Sequence, residues 1–268
     1  MPLDLPELTK PMYTPKPPPP PVWRFVGPQA RPPEFGTVWL RSAFQIFRRD
    51  PLSWVFKFLG SFGFLLLLGG IPGIGEWAGI FVYPILGWWV FITSQEHERT
   101  LPAAPRTYPD IRSIISPLLL LGLISTALSN GLSAFVTELT GFSAETLPEL
   151  KPEDPKNLEL IGDIAEVMLL HTLLSLPLTM ATYFAPPLMA LGNMSLIDAL
   201  KLSFVACIRN IIPLGWNVTL VLGIGAASML LGGLPLLVLA PVFLIMLYTT
   251  YLDIFMRLEA QDESESSD

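Results

Sequence analysis

The sequence predicts an all-α fold: a polytopic membrane helical bundle with six transmembrane helices and two amphipathic helices on the cytoplasmic side. Of the 268 residues, 51% are apolar and 15% are charged, whereas a typical soluble domain has about 25% charged residues. Long uncharged stretches lie between residues 57 and 253, and about 20 apolar residues suffice for one helix to cross a bilayer. These stretches do not alternate between polar and apolar residues, so a membrane β-barrel is excluded.

The positions of the charged residues delimit the spans. Four uncharged stretches each accommodate one helix: 58–75, 77–95, 113–137 and 167–191. The stretch 210–252 has 43 residues, which is too long for one helix, and Gly232-Gly233-Leu234-Pro235 divides it. It therefore supplies two helices joined by a tight turn, which brings the total to six.

The basic residues predict the orientation. With the N-terminus in the cytoplasm, fourteen of the 16 Lys and Arg residues fall inside, and only Lys151 and Lys156 fall outside. Cytoplasmic loops carry an excess of Lys and Arg, so both termini are predicted to be cytoplasmic. Residues 1–35 have no apolar core, so no secretory signal peptide is expected.

Both ends of the chain are predicted to be disordered tails, which leaves residues 36–257 as the integral membrane domain. Twelve of the 28 prolines lie in residues 1–33, and a proline-rich segment favours extended polyproline II without a packed core. The tail 1–35 is either a stiff spacer or a ligand for an aromatic groove on a partner. Residues 258–268 are acidic and rich in serine.

Two segments, 37–49 and 196–211, have the pattern of amphipathic helices. In each, apolar residues fill one arc of the helical wheel and polar residues fill the other, with Gln45 and Ser203 placed on the polar side. Basic amphipathic helices rest on anionic membrane surfaces, and recruitment of a cytoplasmic protein is the alternative. The predicted membrane-surface residues are Arg41, Arg48, Arg49, Lys201 and Arg209.

The two amphipathic segments precede similar sequences, which predicts an internal parallel repeat. Pro51-Leu52-Ser53-Trp54 matches Pro213-Leu214-Gly215-Trp216, and a Gly-Gly-x-Pro turn follows at residue 69 and at residue 232. Four spans separate the two units, so they would be related by an axis along the membrane normal. The alternative is coincidence, because Pro, Gly and Trp recur at the ends of membrane helices.

A set of short motifs is distributed along the membrane domain: Phe47 to Trp54, Tyr183 to Leu188, Asp198 to Phe204, Ala206-Cys207, Arg209-Asn210, Pro213, Ala240-Pro241, Tyr248, Tyr251 and Asp253 to Phe255. This set resembles a family of uncharacterised multi-pass inner-membrane proteins of proteobacteria. More distantly, it is similar to the membrane domain joined to some glycerophosphodiester phosphodiesterases. The resemblance covers roughly residues 36–257 and implies a fold and a location. It implies no catalytic activity, because the catalytic domain of those enzymes is separate and soluble.

Polar residues inside the spans are the candidates for function. Asn130, His171 and Asn217 either hydrogen-bond between helices or line a pathway. Lys57, Glu138, Asp163 and Asp253 fall near span ends, where water reaches them. Asp163, Glu166 and His171 have poor spacing for metal ligands on one helix, so no metal site is predicted. His97 is expected to be solvated in a cytoplasmic loop.

Several classes of function are disfavoured. The formal net charge of −7 argues against nucleic-acid binding, which needs clustered Lys and Arg. Cys207 is the only cysteine, so no internal disulfide can form. No nucleophile elbow or phosphate-binding loop is found, so neither an enzyme nor a cofactor is expected. Two functions remain: an accessory or scaffold component of the membrane with a cytoplasmic or membrane protein partner, and a small transporter or permease working between the two repeat units.

Overall fold

The chain folds into a bundle of α-helices; the structure is a computed structural model that describes residues 22–98, 110–142 and 156–259. Within these ranges, six helical segments are long and apolar enough to cross a membrane. The predicted all-α bundle with six spans is thus confirmed. The elements are β1 (Val22–Phe25), α1 (Phe35–Phe47), α2 (Pro51–Gly69), a 3-10 helix (Gly75–Phe81) continuing into α3 (Val82–Glu98), α4 (Ile111–Thr140), α5 (Lys156–Tyr183), α6 (Ala185–Ala190), α7 (Leu196–Arg209), α8 (Ile211–Leu230), α9 (Leu236–Phe255) and β2 (Met256–Glu259).

Local sequence signals explain where these helices begin and end. The side chain of Asp50 accepts a hydrogen bond from the backbone N–H of Ser53, which caps α2 with proline in the first turn. Ser195 caps α7 in the same way. Between α8 and α9, Gly232 and Gly233 adopt positive φ angles of 76° and 77°, which glycine tolerates best. The predicted division of the long apolar stretch is therefore present at this turn.

Helix α9 is the central helix of the bundle. It is buried along most of its length, whereas few residues of the apolar windows of α2 and α5 are buried inside the protein. The largest buried side chains come from α9 and from other helices, and they form one core cluster. They include Trp39, Trp54, Trp89, Phe184, Tyr248, Tyr251 and Phe255. Large apolar side chains such as Leu67, Leu169 and Leu222 are exposed, as expected for a surface that faces lipid rather than water.

The structure describes part of each predicted tail, and these two parts pair with each other. Residues 22–25 form β1, which pairs with β2 in an antiparallel register that places Val22 opposite Glu259. The N–H groups of Val26 and Gln29 then donate to carbonyl oxygens at the end of α9, both at 2.9 Å. Extended backbone needs hydrogen-bond partners, and the chain leaving α9 supplies them. Residues 1–21 and 260–268 lie outside the described residues.

We call residues 22–34 the N-terminal strap, and the end of the bundle that the strap covers is the strap end. The strand pairing places residues 22 and 259 side by side at this end. An even number of spans is required to return the chain to the side on which it started. The six spans and the strand pair are therefore consistent with each other.

The amphipathic segments form α1 and α7, and only α7 leaves part of its predicted apolar face exposed, as contact with a membrane surface requires. Helix α1 buries Trp39, Ala43 and Ile46 inside the protein, mainly against α9 and α8, rather than leaving this face for the membrane surface. Helix α7 buries small residues such as Ala199 and Ser203 and exposes Ile197 and Ile208, among others. Small side chains allow helices to approach closely in membranes, and a wheel based on hydrophobicity does not register this preference.

The predicted repeat is present in the order of elements but not in their packing. Helix α1 packs chiefly against α9 and α8, whereas α7 packs chiefly against α5 and α6. The two matched tryptophans also differ: Trp54 is 1% exposed and Trp216 is 47% exposed. Because their packing differs, the two units do not form a pair of equivalent halves. The matching motifs are explained by residues that have similar roles at helix ends.

The close packing of α4 predicts an effect of Gly122→Ala. A Cβ atom at Gly122 would overlap the carbonyl oxygen of Ile80, whereas a Cβ at Gly131 on the same helix would meet nothing within 4 Å. Because backbone cannot move aside cheaply, we expect Gly122→Ala to lower the free energy of unfolding by about 1–3 kcal/mol. Gly131→Ala is the matched control. Thermal unfolding in detergent checks this, and equal stability of the two variants would contradict the packing.

Candidate functional site

Asn210 joins the N-terminal strap to the bundle through hydrogen bonds. It ends α7 and is fully buried. Its carboxamide oxygen accepts a hydrogen bond from the backbone N–H of Arg31 at 2.8 Å, and its nitrogen donates to the carbonyl oxygen of Gln29 at 2.9 Å. Next to it, Arg209 donates to the carbonyl oxygen of Pro28 at 3.0 Å. The buried amide is thus satisfied mainly by strap backbone, which it holds in an extended conformation.

Asp253 near the end of α9 joins the strap to α1. Its carboxylate oxygen Oδ2 lies 3.2 Å from Nε of Arg31 and accepts a hydrogen bond from the indole nitrogen of Trp39 at 2.8 Å. The guanidinium of Arg31 also donates to the backbone carbonyl oxygen of Asp253, through Nε at 3.1 Å and through Nη2. Hydrogen bonds in which both groups are charged are the stronger class. We call Arg31, Trp39, Asn210 and Asp253 the strap cluster.

The partner of Asp253 is the functional contact that sequence reasoning missed. The position near a span end was predicted, but the side chain is 26% exposed and is paired with Arg31 rather than only hydrated. Arg31 lies 222 residues away in the segment assigned to a disordered tail. The signal that could have revealed the pair is a carboxylate at the end of an otherwise apolar helix, because a half-buried charge needs a partner.

A cavity of about 260 Å³ lies beside the strap cluster. Its polar lining comes from β1, α1, α3 and α9 and includes Trp23, Ser42, Gln45, Arg49, His97 and Asp253. His97 lies in the last turn of α3, and its Nδ1 is within hydrogen-bond distance, 3.2 Å, of the hydroxyl of Tyr248. The prediction of a solvated His97 in a loop is therefore wrong, because α3 continues far enough to reach α9.

The three predicted interhelical residues occupy different places. Asn217 is buried near the start of α8, and its amide donates to the carbonyl oxygen of Gly36 and lies 3.1 Å from Sδ of Met246. His171 joins α5 to α4 through a hydrogen bond of 3.2 Å with Ser133. Asn130 is exposed on α4. Two of the three thus connect helices, and they do so with different partners.

The predicted membrane-surface residues are all exposed: Arg41, Arg48 and Arg49 at α1, and Lys201 and Arg209 on α7. Arg209 has a structural contact as well, because it holds the strap through Pro28. Contact of these residues with lipid headgroups stays a prediction. Their positions put basic charge at the same end of the bundle as the strap.

No three His, Cys, Asp or Glu side chains in the described ranges are grouped closely enough to hold a metal ion. Asp163 and Glu166 line a cavity of about 390 Å³ with Thr140 and Phe142, where α4 ends beside α5. Two carboxylates alone leave most coordination positions of a hard cation unfilled. This cavity therefore gives no basis for assigning a ligand.

Ser203 forms hydrogen bonds with the backbone where α5 ends and α6 begins. Its hydroxyl accepts a hydrogen bond from the N–H of Phe184 at 2.9 Å and donates to the carbonyl oxygen of Met180 at 2.7 Å. In a continuous α-helix these two backbone groups would bond each other, since 184 and 180 are four residues apart, so the Ser203 hydroxyl takes the place of the helical hydrogen bond that is lost at this break. Ser203 is fully buried, and its predicted position on a polar surface is wrong.

Comparisons with models of known protein families, with curated proteins and with solved structures found no match to this chain. The site therefore has to be interpreted from its own geometry. The polar groups of the strap cluster are paired through hydrogen bonds and one ion pair. Among the residues that the structure describes, this cluster contains no nucleophile paired with a base. This arrangement is suited to positioning a segment rather than to bond cleavage.

The strap cluster predicts the effect of Asp253→Ala. Removal of the carboxylate breaks the ion pair with Arg31 and leaves the Trp39 indole without its acceptor, while the hydrogen bonds of Arg31 to the backbone carbonyl of residue 253 remain, so we expect a loss of about 1–3 kcal/mol in stability. We also expect faster trypsin cleavage after Arg24, because the strap is released. Asp50→Ala is the control: it removes the α2 cap and costs about 1 kcal/mol without exposing the strap. Equal cleavage in the two variants would show that Asp253 does not hold the strap.

The environment of Cys207 predicts an inert thiol. Its side chain is 4% exposed, and burial raises its pKa to about 12, although the hydrogen bond with Ser203 acts in the opposite direction. Since the thiolate is the reactive form, we expect no maleimide labelling of the folded protein at pH 8 and full labelling after denaturation. A cysteine introduced at the exposed Gln45 is the positive control. Labelling of Cys207 at the rate of that control would contradict the buried position.

Proposed function

We propose that this multi-pass membrane protein is an accessory or scaffold component of the bacterial inner membrane. The observation that carries the proposal is the strap cluster, which fixes the backbone at both ends of the membrane domain. Because Val22 pairs with Glu259, the proline-rich residues 1–21 and the acidic residues 260–268 start from adjacent points. A partner could contact both at once, and two linked contacts raise affinity through effective concentration.

The orientation is part of the same proposal. We infer that the strap end is cytoplasmic, because exposed basic residues of α1 and α7 lie there together with both chain ends. The positive-inside bias of the sequence supports this assignment. The resemblance to inner-membrane proteins of proteobacteria supports the same location.

The distribution of polar groups favours a scaffold over a transporter. Interhelical hydrogen bonds at His171 and Asn217 connect different pairs of helices. The Arg31–Asp253 ion pair lies at the strap end rather than at mid-membrane. Transporters usually place substrate and ion sites near the midplane between related halves, and the packing of α1 and α7 does not generate such halves.

Site-specific photo-crosslinking in native membranes tests the proposal. We expect a photoreactive residue at Arg41 or Arg48 to crosslink one protein in near-stoichiometric yield, because both positions are exposed beside the strap. The matched control is Leu222 on α8, which is 66% exposed and is expected to crosslink lipid. Adding Asp253→Ala should reduce the protein crosslink, since the released strap no longer presents the two chain ends together.

The opposite result has a defined pattern. If no protein is crosslinked at Arg41 or Arg48, and Asn217→Ala abolishes a gene phenotype while protein abundance and thermal stability are unchanged, the scaffold proposal is wrong. That pattern would favour a transport pathway past Asn217. A loss of about 0.6 kcal/mol in stability is the expected effect of removing a purely structural interhelical hydrogen bond.

A further inference from the structure

Two apolar crevices flank Tyr183 at the end of α5. The first has a volume of about 300 Å³, lies between α5, α7 and α8, and is lined by Met180, Cys207, Leu214, Gly215 and Val218, among others. The second, of about 250 Å³, lies between α5, α3 and α9 and is lined by Tyr83, Leu86, Phe243, Leu244 and Leu247, among others. Tyr183 and Thr179 line both.

The crevices lie within the membrane-spanning part of the fold. Helix α5 packs chiefly against α7 and α4, with smaller contacts to α6, and no residue of its apolar window is buried. The gaps on its α8 and α9 sides therefore open sideways, towards the bilayer. Water does not stably occupy such apolar spaces, whereas hydrocarbon chains from the surrounding membrane match them in polarity.

Tyr183 supplies a polar group inside this apolar environment. The threonine hydroxyls that line the crevices donate to carbonyl oxygens of their own helix: Thr179 to Ser175 and Thr182 to Leu178. Tyr183 is half-buried, and its hydroxyl has no hydrogen-bond acceptor in the part of the chain that the structure describes. A tyrosine hydroxyl in an apolar site usually finds a partner, so the geometry indicates that the acceptor belongs to a bound molecule.

We propose that a diacyl glycerophospholipid of the host membrane binds here, with one acyl chain in each crevice. The Tyr183 hydroxyl donates a hydrogen bond to an ester carbonyl oxygen of the lipid. Tyr183 is the last residue of α5, where the chain turns into α6. The first crevice also reaches Ile211, the first residue of α8, and the end of a span is where lipid ester groups lie and where tyrosine is enriched. The proposal does not depend on which side of the membrane the strap end occupies.

Lipid binding to the purified full chain tests the site. The protein is delipidated in mild detergent and titrated with dioleoyl phosphatidylglycerol or with its diether analogue, which lacks ester carbonyl groups, and bound lipids are counted by native mass spectrometry. We expect one diester lipid per chain and about fivefold weaker binding of the diether, the size of one net hydrogen bond. Tyr183→Phe should bind the two lipids equally.

Two glycines of α8 provide a matched pair of variants. Both Gly215 and Gly223 are exposed, and a Cβ atom at either meets nothing within 4 Å, but only Gly215 lines a crevice. Gly215→Leu should fill the crevice and weaken lipid binding at least tenfold, whereas Gly223→Leu should bind as the wild type does. Unchanged melting temperatures establish that both variants are folded.

Three results would overturn the proposal. Equal lipid retention by Gly215→Leu and Gly223→Leu would show that only unspecific surface lipid binds. A lipid-free dimer that Gly215→Leu dissociates would show that a second copy of the chain fills the crevices. Equal binding of diester and diether lipids by the wild type would remove the assigned hydrogen bond to Tyr183.

Discussion

A carboxylate near the end of α9, the most buried of the long apolar helices, imposes the main constraint on this structure. Asp253 lies in the last turn of α9, an apolar helix of 20 residues. A half-buried charge is costly unless it is paired. The pair comes from Arg31, and the Trp39 indole donates to the same carboxylate oxygen. Because these partners belong to the strap and to α1, satisfying one carboxylate brings both elements onto α9.

The aromatic packing around α9 depends on that placement. Phe25 of β1 stacks on Phe255 at 6.0 Å, and Phe255 packs edge-on against Phe184, which lies between α5 and α6, at 5.3 Å. These rings connect β1, α9 and the break between α5 and α6. Offset and edge-on aromatic pairs add stability beyond the apolar area that they bury. The strap is therefore attached to the surface of the core through an aromatic contact as well as through the strap cluster.

The sequence predicted features governed by local physics and missed those governed by contacts between distant segments. The spans were predictable because lipid excludes charge over about 20 residues, and the turn at residues 232–235 was predictable because glycine and proline break helices. Asn217 was recognised as an interhelical residue because a buried amide needs a partner. Arg31 was missed because composition alone assigns its segment to disorder, and its contacts lie 179 and 222 residues away. The role of Ser203 was missed for the same reason, since nothing near it in sequence reveals that a helix break at Phe184 needs a hydroxyl.

The uneven burial of the helices separates two kinds of surface. Helix α9 and the strap end hold most of the buried aromatic side chains and the ion pair, whereas α2, α5 and α8 expose apolar side chains along their length. Association between membrane helices depends on shape and on hydrogen bonds, because lipid tails are as apolar as leucine. The smooth apolar outer helices thus gain little by binding each other tightly, and lipid can fill the gaps beside α5. Specific protein recognition is better served by the strap end, where charge, backbone and aromatic side chains occur together.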